Sequence, residues 1–370
     1  MSHDASEKKA EEDLLLKDWR PKSTFVLEEH IPEKAKYPVI NVHTHLGTMV
    51  KRTISAEQVV QRLARALGRK SSEDLRKEVK PRYTIEELVK IMDECNVERL
   101  VDLDGIPPLK EYLKIYKDYP DRFTVFYVLS FEDVDDPKYG EKRAAELEEA
   151  VSQGARGLKV HKVLGLTIRD KKGRVIPVDD PRFDPIWEKA GELGIPVLIH
   201  SSDPAAFFLP VDRFNPYYVT LKYSHPNWSF YGPQFPEKME ILKQRDHVLE
   251  KHPKTIFIGA HYGNYPENLN YVSSVLDKYD NLYIDCSRMP WLGLIPYSSR
   301  RHFIKYQDKI LFGTDSADKD HWRTYFQFLE TDDEYFDGRP WGDRIYGIYL
   351  PDDVLEKVYW KNAEKIIPKN

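Results

Sequence analysis

Cysteine is almost missing from this sequence, and other features that assign a function class are missing with it. The 370 residues include two cysteines, Cys95 and Cys286, which cannot form a disulfide scaffold or a zinc–thiolate site. No apolar run approaches the roughly 20 residues of a membrane-spanning helix. The net charge is −5, and the lysines and arginines form no basic stripe. We therefore expect no membrane and no nucleic-acid partner, and a cytoplasmic location unless a signal peptide has been removed.

The chain does contain enough apolar material for a large core, since 41% of its residues are hydrophobic. Short apolar, β-branched runs alternate with helical patterns from Tyr37 onward, in eight strand–helix pairs. Eight such pairs predict an α/β fold, a (β/α)8 barrel of the TIM type. A doubly wound sheet is disfavoured because no Gly-x-Gly-x-x-Gly turn is present.

The predicted domain organisation has two parts. We predict a charged leader and extended arm over residues 1–36, followed by a single barrel domain over residues 37–370. Residues 201–235 are irregular and rich in aromatics, proline and asparagine, and residues 315–342 look similar. We expect both stretches to form long loops at the mouth of the barrel.

Polar side chains mark the ends of several predicted strands. In the first strand His43 and His45 are two positions apart, so both imidazoles project to the same side. His200 follows the fifth strand, His261 the sixth and Asp315 the eighth. Because catalytic groups in such barrels lie at the C-terminal strand ends, we expect these five side chains to converge. Imidazoles and a carboxylate together suit a divalent metal.

These strand-end motifs resemble those of the amidohydrolase superfamily. The resemblance rests on the His-x-His strand, the two later strand-end histidines and the final Gly-Thr-Asp. The contexts Leu198-Ile199-His200, Gly259-Ala260-His261 and Phe312-Gly313-Thr314-Asp315 are similar to the amidohydrolase-related branch, which includes aminocarboxymuconate-semialdehyde decarboxylase. The motifs extend over most of the chain.

The resemblance implies a role for each of these residues. It implies that His43, His45, His200 and Asp315 are ligands of one divalent metal, with zinc expected first and manganese, iron and cobalt as alternatives. Asp315 would also accept a proton from metal-bound water, and His261 would act as an acid or base. The resemblance further implies a homodimer or a higher homo-oligomer.

Lys159, in the fourth predicted strand, has two interpretations. In superfamily members with two metals, a carboxylated lysine at this strand bridges them, and a histidine matching His261 is then a ligand. The favoured interpretation is that Lys159 neutralises a carboxylate or anchors the substrate. Further candidates for binding a small carboxylic acid or a derivative of one are Arg288, His161, Asp203, Tyr262 and Asn264.

Three functions are compatible with this set of residues. Our first hypothesis is a hydrolase that uses metal-activated water on an amide, lactone or ester carbonyl. The alternative is a metal-dependent, non-oxidative decarboxylase or carbon–carbon lyase of an aromatic or unsaturated carboxylic acid. A non-catalytic protein that binds a small acid at a relict metal site is the third hypothesis, and the complete ligand set disfavours it.

Overall fold

The three-dimensional structure is a computed structural model. The residues that it describes are 14–15, 19, 23–51, 56–68, 81–106, 108–287, 289–338 and 343–369. Two compact units can be distinguished, one made of Pro204–Phe235 with the described part of residues 1–28, and one made of Glu29–Asp203 and Pro236–Asn370. The second unit contains every strand-end residue singled out above.

Within the described residues, eight strands form one parallel sheet in chain order. The strands are β1 (Val39–Thr44), β2 (Val97–Gly105), β3 (Phe123–Val128), β4 (Gly157–Val160), β5 (Val197–Ile199), β6 (Phe257–Gly259), β7 (Leu282–Asp285) and β8 (Ile310–Leu311). Helices connect successive strands, so the predicted (β/α)8 barrel is confirmed. The candidate residues therefore share the C-terminal end of one barrel.

The helices lie between the strands and after the last of them. Their bounds are Leu46–Met49, Ala56–Ala66, Ile85–Glu94, Leu109–Leu113, Tyr139–Gln153, Asp184–Glu192, Lys238–Lys251, Leu269–Lys278, Met289–Gly293, Pro296–Lys305, Lys319–Glu330, Asp352–Glu356 and Asn362–Ile366. The helix over 85–94 begins with a capping box, in which Thr84 and Glu87 satisfy each other's backbone N–H groups. Among the described residues, no helix combines the length and apolar character needed to cross a bilayer.

The barrel is closed where β8 meets β1. The N–H of Val42 donates to the carbonyl of Phe312 at 2.9 Å, and the N–H of Asp315 donates to the carbonyl of His43 at 2.9 Å. Asn41 reinforces this seam from inside, because its amide donates to Thr314 Oγ1 at 2.7 Å. Its carbonyl oxygen accepts from the backbone N–H groups of His43 and Thr314, each at 3.2 Å.

The interior of the barrel below the site is apolar. Ile40, Phe126, Leu198, Ile258 and Leu311, each from a different strand, lie in one buried cluster. The closing helix over 362–366 adds to this cluster through buried side chains. This packing gives the strand ends a rigid base.

One prediction about the loops is wrong. Residues 315–342 are not one irregular loop, because Lys319–Glu330 form a helix. Asp318 caps this helix by accepting from the N–H groups of Asp320 and His321. Trp322, Phe326 and Leu329 lie buried on one face of it, at helical spacing. A short hairpin of β9 (Phe336–Gly338) and β10 (Asp343–Ile345) follows.

The segment Pro204–Phe235 agrees better with its prediction, since it holds only short helical turns. Its aromatic side chains pack on one another within the segment. The ring of Trp228 stacks on His225 with centroids 3.9 Å apart and on Phe207 with centroids 5.8 Å apart. The segment thus forms a small aromatic cluster of its own.

The seam between β8 and β1 generates a stability prediction. We expect Asn41→Ala to lower the free energy of unfolding by about 3 kcal/mol, because two buried N–H groups lose their acceptor. Urea unfolding of metal-free protein measures the change. The exposed Asn270→Ala is the control and should unfold like the parent chain. A value for Asn41→Ala equal to that control would contradict the assigned role.

Candidate metal centre

The two histidines of β1 are oriented by carboxylates from two other strands, β7 and β2. His43 Nδ1 lies 2.9 Å from Asp285 Oδ2, and His45 Nδ1 lies 2.7 Å from Asp104 Oδ1. A carboxylate accepts, so each Nδ1 carries the proton and each Nε2 presents a lone pair. Metal-binding histidines are commonly held in this way.

Both Nε2 atoms point at the same oxygen. Asp315 Oδ1 lies 3.3 Å from His43 Nε2 and 3.4 Å from His45 Nε2. Bond lengths of ~2.0–2.1 Å and tetrahedral angles would place two zinc ligands about 3.3 Å apart. The three side chains therefore fit a divalent cation. Their ligand atoms form one of two such groups found in the described part of the chain.

The second group, His43, His261 and Asp285, has an ordinary explanation. Asp285 Oδ2 already accepts from His43, and Asp285 Oδ1 accepts the backbone N–H of His261 at 3.1 Å. Hydrogen bonds therefore account for the closeness of these groups. This favours one metal position over two.

His200 and His261 lie beside the cluster. The ring centroid of His261 is 4.8 Å from that of His43 and 4.4 Å from that of His200. Ser287 Oγ holds His261 Nδ1 at 2.7 Å. Buried His200 Nε2 finds no hydrogen-bond partner among the described residues, and its nearest recorded carboxylate oxygen is Asp203 Oδ1 at 3.6 Å. An orphaned buried imidazole nitrogen fits a metal ligand.

The backbone at two of these strand ends is left-handed. His261 and Tyr262 have φ values of 51° and 58°, and Asp315 has a φ of 61°. Residues other than glycine are destabilised by roughly 1–2 kcal/mol in this left-handed backbone conformation. A regular strand would not direct these side chains towards the mouth of the barrel, whereas the left-handed turns do. Backbone strain of this kind is concentrated at functional sites in proteins.

Burial and charge act against each other at the histidines. Burial lowers the pKa of His43 and lowers that of His200 to about 3, which keeps both rings neutral. Burial also acts to lower the pKa of His45, but the Asp104 carboxylate outweighs it and the net shift is upward. The side chains of His45 and Asp315 are 29% and 30% exposed, so the cluster opens to solvent on their side.

Lys159 lies in the same interior. It is 1% exposed, and burial lowers its pKa to about 8 despite the opposing carboxylates of Asp315 and Asp285. His161 lies just beyond the end of β4, with its ring centroid 6.0 Å from that of His200. The structure thus places His161 beside a candidate ligand and Lys159 in the buried interior.

The other predicted substrate residues have partners of their own. Asp203 is buried and forms an ion pair with Lys162 at 2.5 Å. The hydroxyl of Tyr262 lies 2.9 Å from His302 Nδ1, and Tyr262 is fully buried. The Asn264 amide oxygen accepts from the N–H of Ser201 at 3.1 Å. These three residues fix the loops around the site, and their roles in substrate binding stay predictions. Arg288 lies outside the described residues.

Two contributors were missed by sequence analysis. Asp104 orients His45 and accepts from the N–H of Gly47 at 2.9 Å, and Ser287 orients His261. Asp104 is the last residue but one of β2, at the C-terminal end of that strand. The rule that polar residues at strand ends form the site would have found it. Nothing in the sequence distinguishes Ser287 from other serines.

Comparison with known proteins places this sequence in a family. The sequence model described as amidohydrolase matches residues 110–369, which is most of the chain. The chain belongs to the amidohydrolase family. Membership confirms the predicted superfamily and its class, a metal-dependent enzyme with a divalent metal as cofactor. The first strand, with His43 and His45, lies ahead of the matched region. No curated protein sequence matches the chain significantly.

Solved structures similar to this amidohydrolase share its barrel at low identity. A 2,6-dihydroxybenzoate decarboxylase from Rhizobium is 17% identical with a TM-score of 0.52, over 89% of this chain and 98% of that one. A 5-carboxyvanillate decarboxylase from Novosphingobium aromaticivorans, complexed with manganese and 4-hydroxy-3-methoxy-5-nitrobenzoic acid, is 15% identical with a TM-score of 0.54, over 91% and 99%. A 4-oxalomesaconate hydratase from Rhodopseudomonas palustris is 16% identical with a TM-score of 0.51, over 90% and 96%.

The orientation of His45 generates a prediction about metal affinity. Replacing Asp104 by Asn places an amide against His45 Nδ1, because the other oxygen is held by the N–H of Gly47. The amide favours the opposite tautomer, so we expect divalent-metal affinity to fall by about 10–100-fold. Competition with a fluorescent chelator measures it. The exposed Asp121→Asn is the matched control, and equal affinity in both variants would refute the arrangement.

Proposed function

We propose that this amidohydrolase is a metal-dependent, non-oxidative decarboxylase of small aromatic or unsaturated carboxylic acids. The proposal rests on the cluster of candidate ligands His43, His45 and Asp315, with His261 held beside this cluster but outside it. Because Ser287 holds Nδ1 of His261, the other ring nitrogen is the one suited to exchanging a proton with a substrate. Similarity in fold to two aromatic-acid decarboxylases supports this function over our first hypothesis, the hydrolase.

The proposed ligands are His43, His45, His200 and Asp315. When bound, the divalent metal would supply positive charge to the substrate's oxygens. Three imidazoles and a carboxylate suit both zinc and manganese. The Novosphingobium enzyme holds manganese, so manganese and zinc are the two metals to test first.

The protein's own residues would carry the proton. A proton from His261 forms a bond to the carbon that bears the carboxylate. The bond between that carbon and the carboxylate carbon then breaks, its electron pair restores the unsaturated system, and carbon dioxide leaves. Asp315 would act as a metal ligand throughout, and His261 would be reprotonated from solvent. Among the predicted substrate residues, His161 and Arg288 stay candidates for contacts with the acid.

A direct assay distinguishes decarboxylation from hydrolysis. Metal-free protein is loaded separately with manganese and with zinc, and it is offered hydroxybenzoates, carboxyvanillate-type acids, lactones and amides. Carbon dioxide release from an acid is the expected result. Turnover confined to lactones or amides would reject the decarboxylase and restore the hydrolase.

The acid role of His261 generates the next prediction. We expect His261→Asn to lower the rate of carbon dioxide release by about 10²–10⁴-fold, the usual contribution of a positioned acid or base. Its metal content should remain that of the parent chain, as judged by elemental analysis. Loss of the metal in this variant would instead make His261 a ligand. The control is His247→Asn, a half-exposed helical histidine that pairs with Asp179.

A further inference from the structure

The buried ammonium of Lys159 lies near the candidate ligands, and none of them forms a hydrogen bond with it. In the register of the sheet, Lys159 of β4 pairs with Leu198 of β5. Leu198 belongs to the barrel's interior cluster, and paired residues of parallel strands face the same side. Lys159 therefore points into the barrel. Its side chain is fully buried, and Nζ has no hydrogen-bond acceptor anywhere in the described ranges.

The charges that act on Lys159 are those of the candidate metal centre. The carboxylates of Asp315, Asp285 and Asp104 are its main electrostatic partners. Asp315 converges with the two histidines of β1, and the other two carboxylates hold those histidines in place. Three negative charges and one ammonium leave two negative charges in excess. One divalent cation brings these four groups to neutrality.

Carboxylation of Lys159 would disturb that balance. The carbamate is an anion, so it would place a fourth negative charge among the three carboxylates. A second divalent metal would then be needed, together with ligands to hold it. Asp285 already accepts from His43 and His261, and Ser287 already holds His261 Nδ1. With Asp285 engaged in this way, the carbamate and His261 Nε2 alone would face a second metal, fewer than the three or four protein ligands that such ions usually have.

We infer that Lys159 is a charge-setting positioning residue, an uncarboxylated ammonium that takes the electrostatic place of a second metal. It stabilises the three carboxylates before the metal binds and repels the metal once it is bound. Metal affinity is therefore set below the value that the same ligands would give alone. This inference rests on the metal centre of the proposed function, although not on the reaction.

Removing the charge of Lys159 tests the inference, because the expected change is a gain in metal affinity, whereas a structural defect would cause a loss. In Lys159→Met we expect the affinity for Mn²⁺ and for Zn²⁺ to rise by about tenfold or more, since a repulsion is lost. We also expect the melting temperature of the metal-free variant to fall, and the increase on adding metal to exceed that of the parent chain. Chelator competition and thermal unfolding measure the two effects.

Lys309→Met is the matched control, because Lys309 precedes β8 at the opposite end of the barrel and bonds two backbone carbonyls. It should leave metal affinity unchanged. Unchanged or weaker affinity in folded Lys159→Met overturns the inference and leaves the proposed function intact. If the parent chain binds neither metal, both fail together.

Two further measurements keep the inference testable if Lys159→Met does not fold. Lys159→Gln removes the same charge with a polar side chain and should show the same rise in affinity. Incubation of the zinc-loaded parent protein with ¹³C-bicarbonate should give no carbamate carbon signal by NMR. A carbamate signal that Lys159→Gln lacks would overturn the inference.

Discussion

Three carboxylates that lie close together at the mouth of an apolar barrel repel one another and need positive charge nearby. Asp104 and Asp285 are almost completely buried, and Asp315 is only partly exposed. In our inference Lys159 supplies one positive charge from within the chain, and a divalent metal would supply the two that remain. Because burial of unpaired charge is unfavourable, the fold itself would favour metal binding at the proposed site. The proposed site is therefore an electrostatic solution as much as a geometric one.

Direction matters as much as charge in this centre. Each β1 histidine is oriented by a carboxylate that accepts a hydrogen bond from its Nδ1–H, so Nε2 already faces the candidate metal position. The hydroxyl of Ser287 donates to Asp285 Oδ1, so its oxygen accepts from His261 Nδ1 and leaves Nε2 of His261 with the lone pair. In the proposed function His43 binds the metal and His261 exchanges a proton, and the two rings differ in being held by a carboxylate and by a neutral hydroxyl. Gly313 permits this closeness, because a Cβ there would lie 3.0 Å from the Cβ of His43.

The fold and most of the candidate centre could be predicted because they rest on short-range patterns. Alternation within β1 places His43 and His45 on one side, and parallel strands bring their ends together. The left-handed turn at His261 could not be predicted, because tertiary packing imposes it against local preference. Asp104 was missed because an apolar period does not show how far a strand continues. The helix over 319–330 was missed although Trp322, Phe326 and Leu329 carry its period, since its aromatic composition was taken for a loop.

The seam between the last strand and the first has a consequence for how the protein matures. Asn41 and Thr314, which bond across it, are 273 residues apart in the chain. The histidines of β1 leave the ribosome early, whereas Asp315 arrives only after seven further strands have been made. Contacts of such long range form late in folding. A nascent or truncated chain would present two imidazoles without their carboxylate, and the completed ion site would be a signature of a finished barrel.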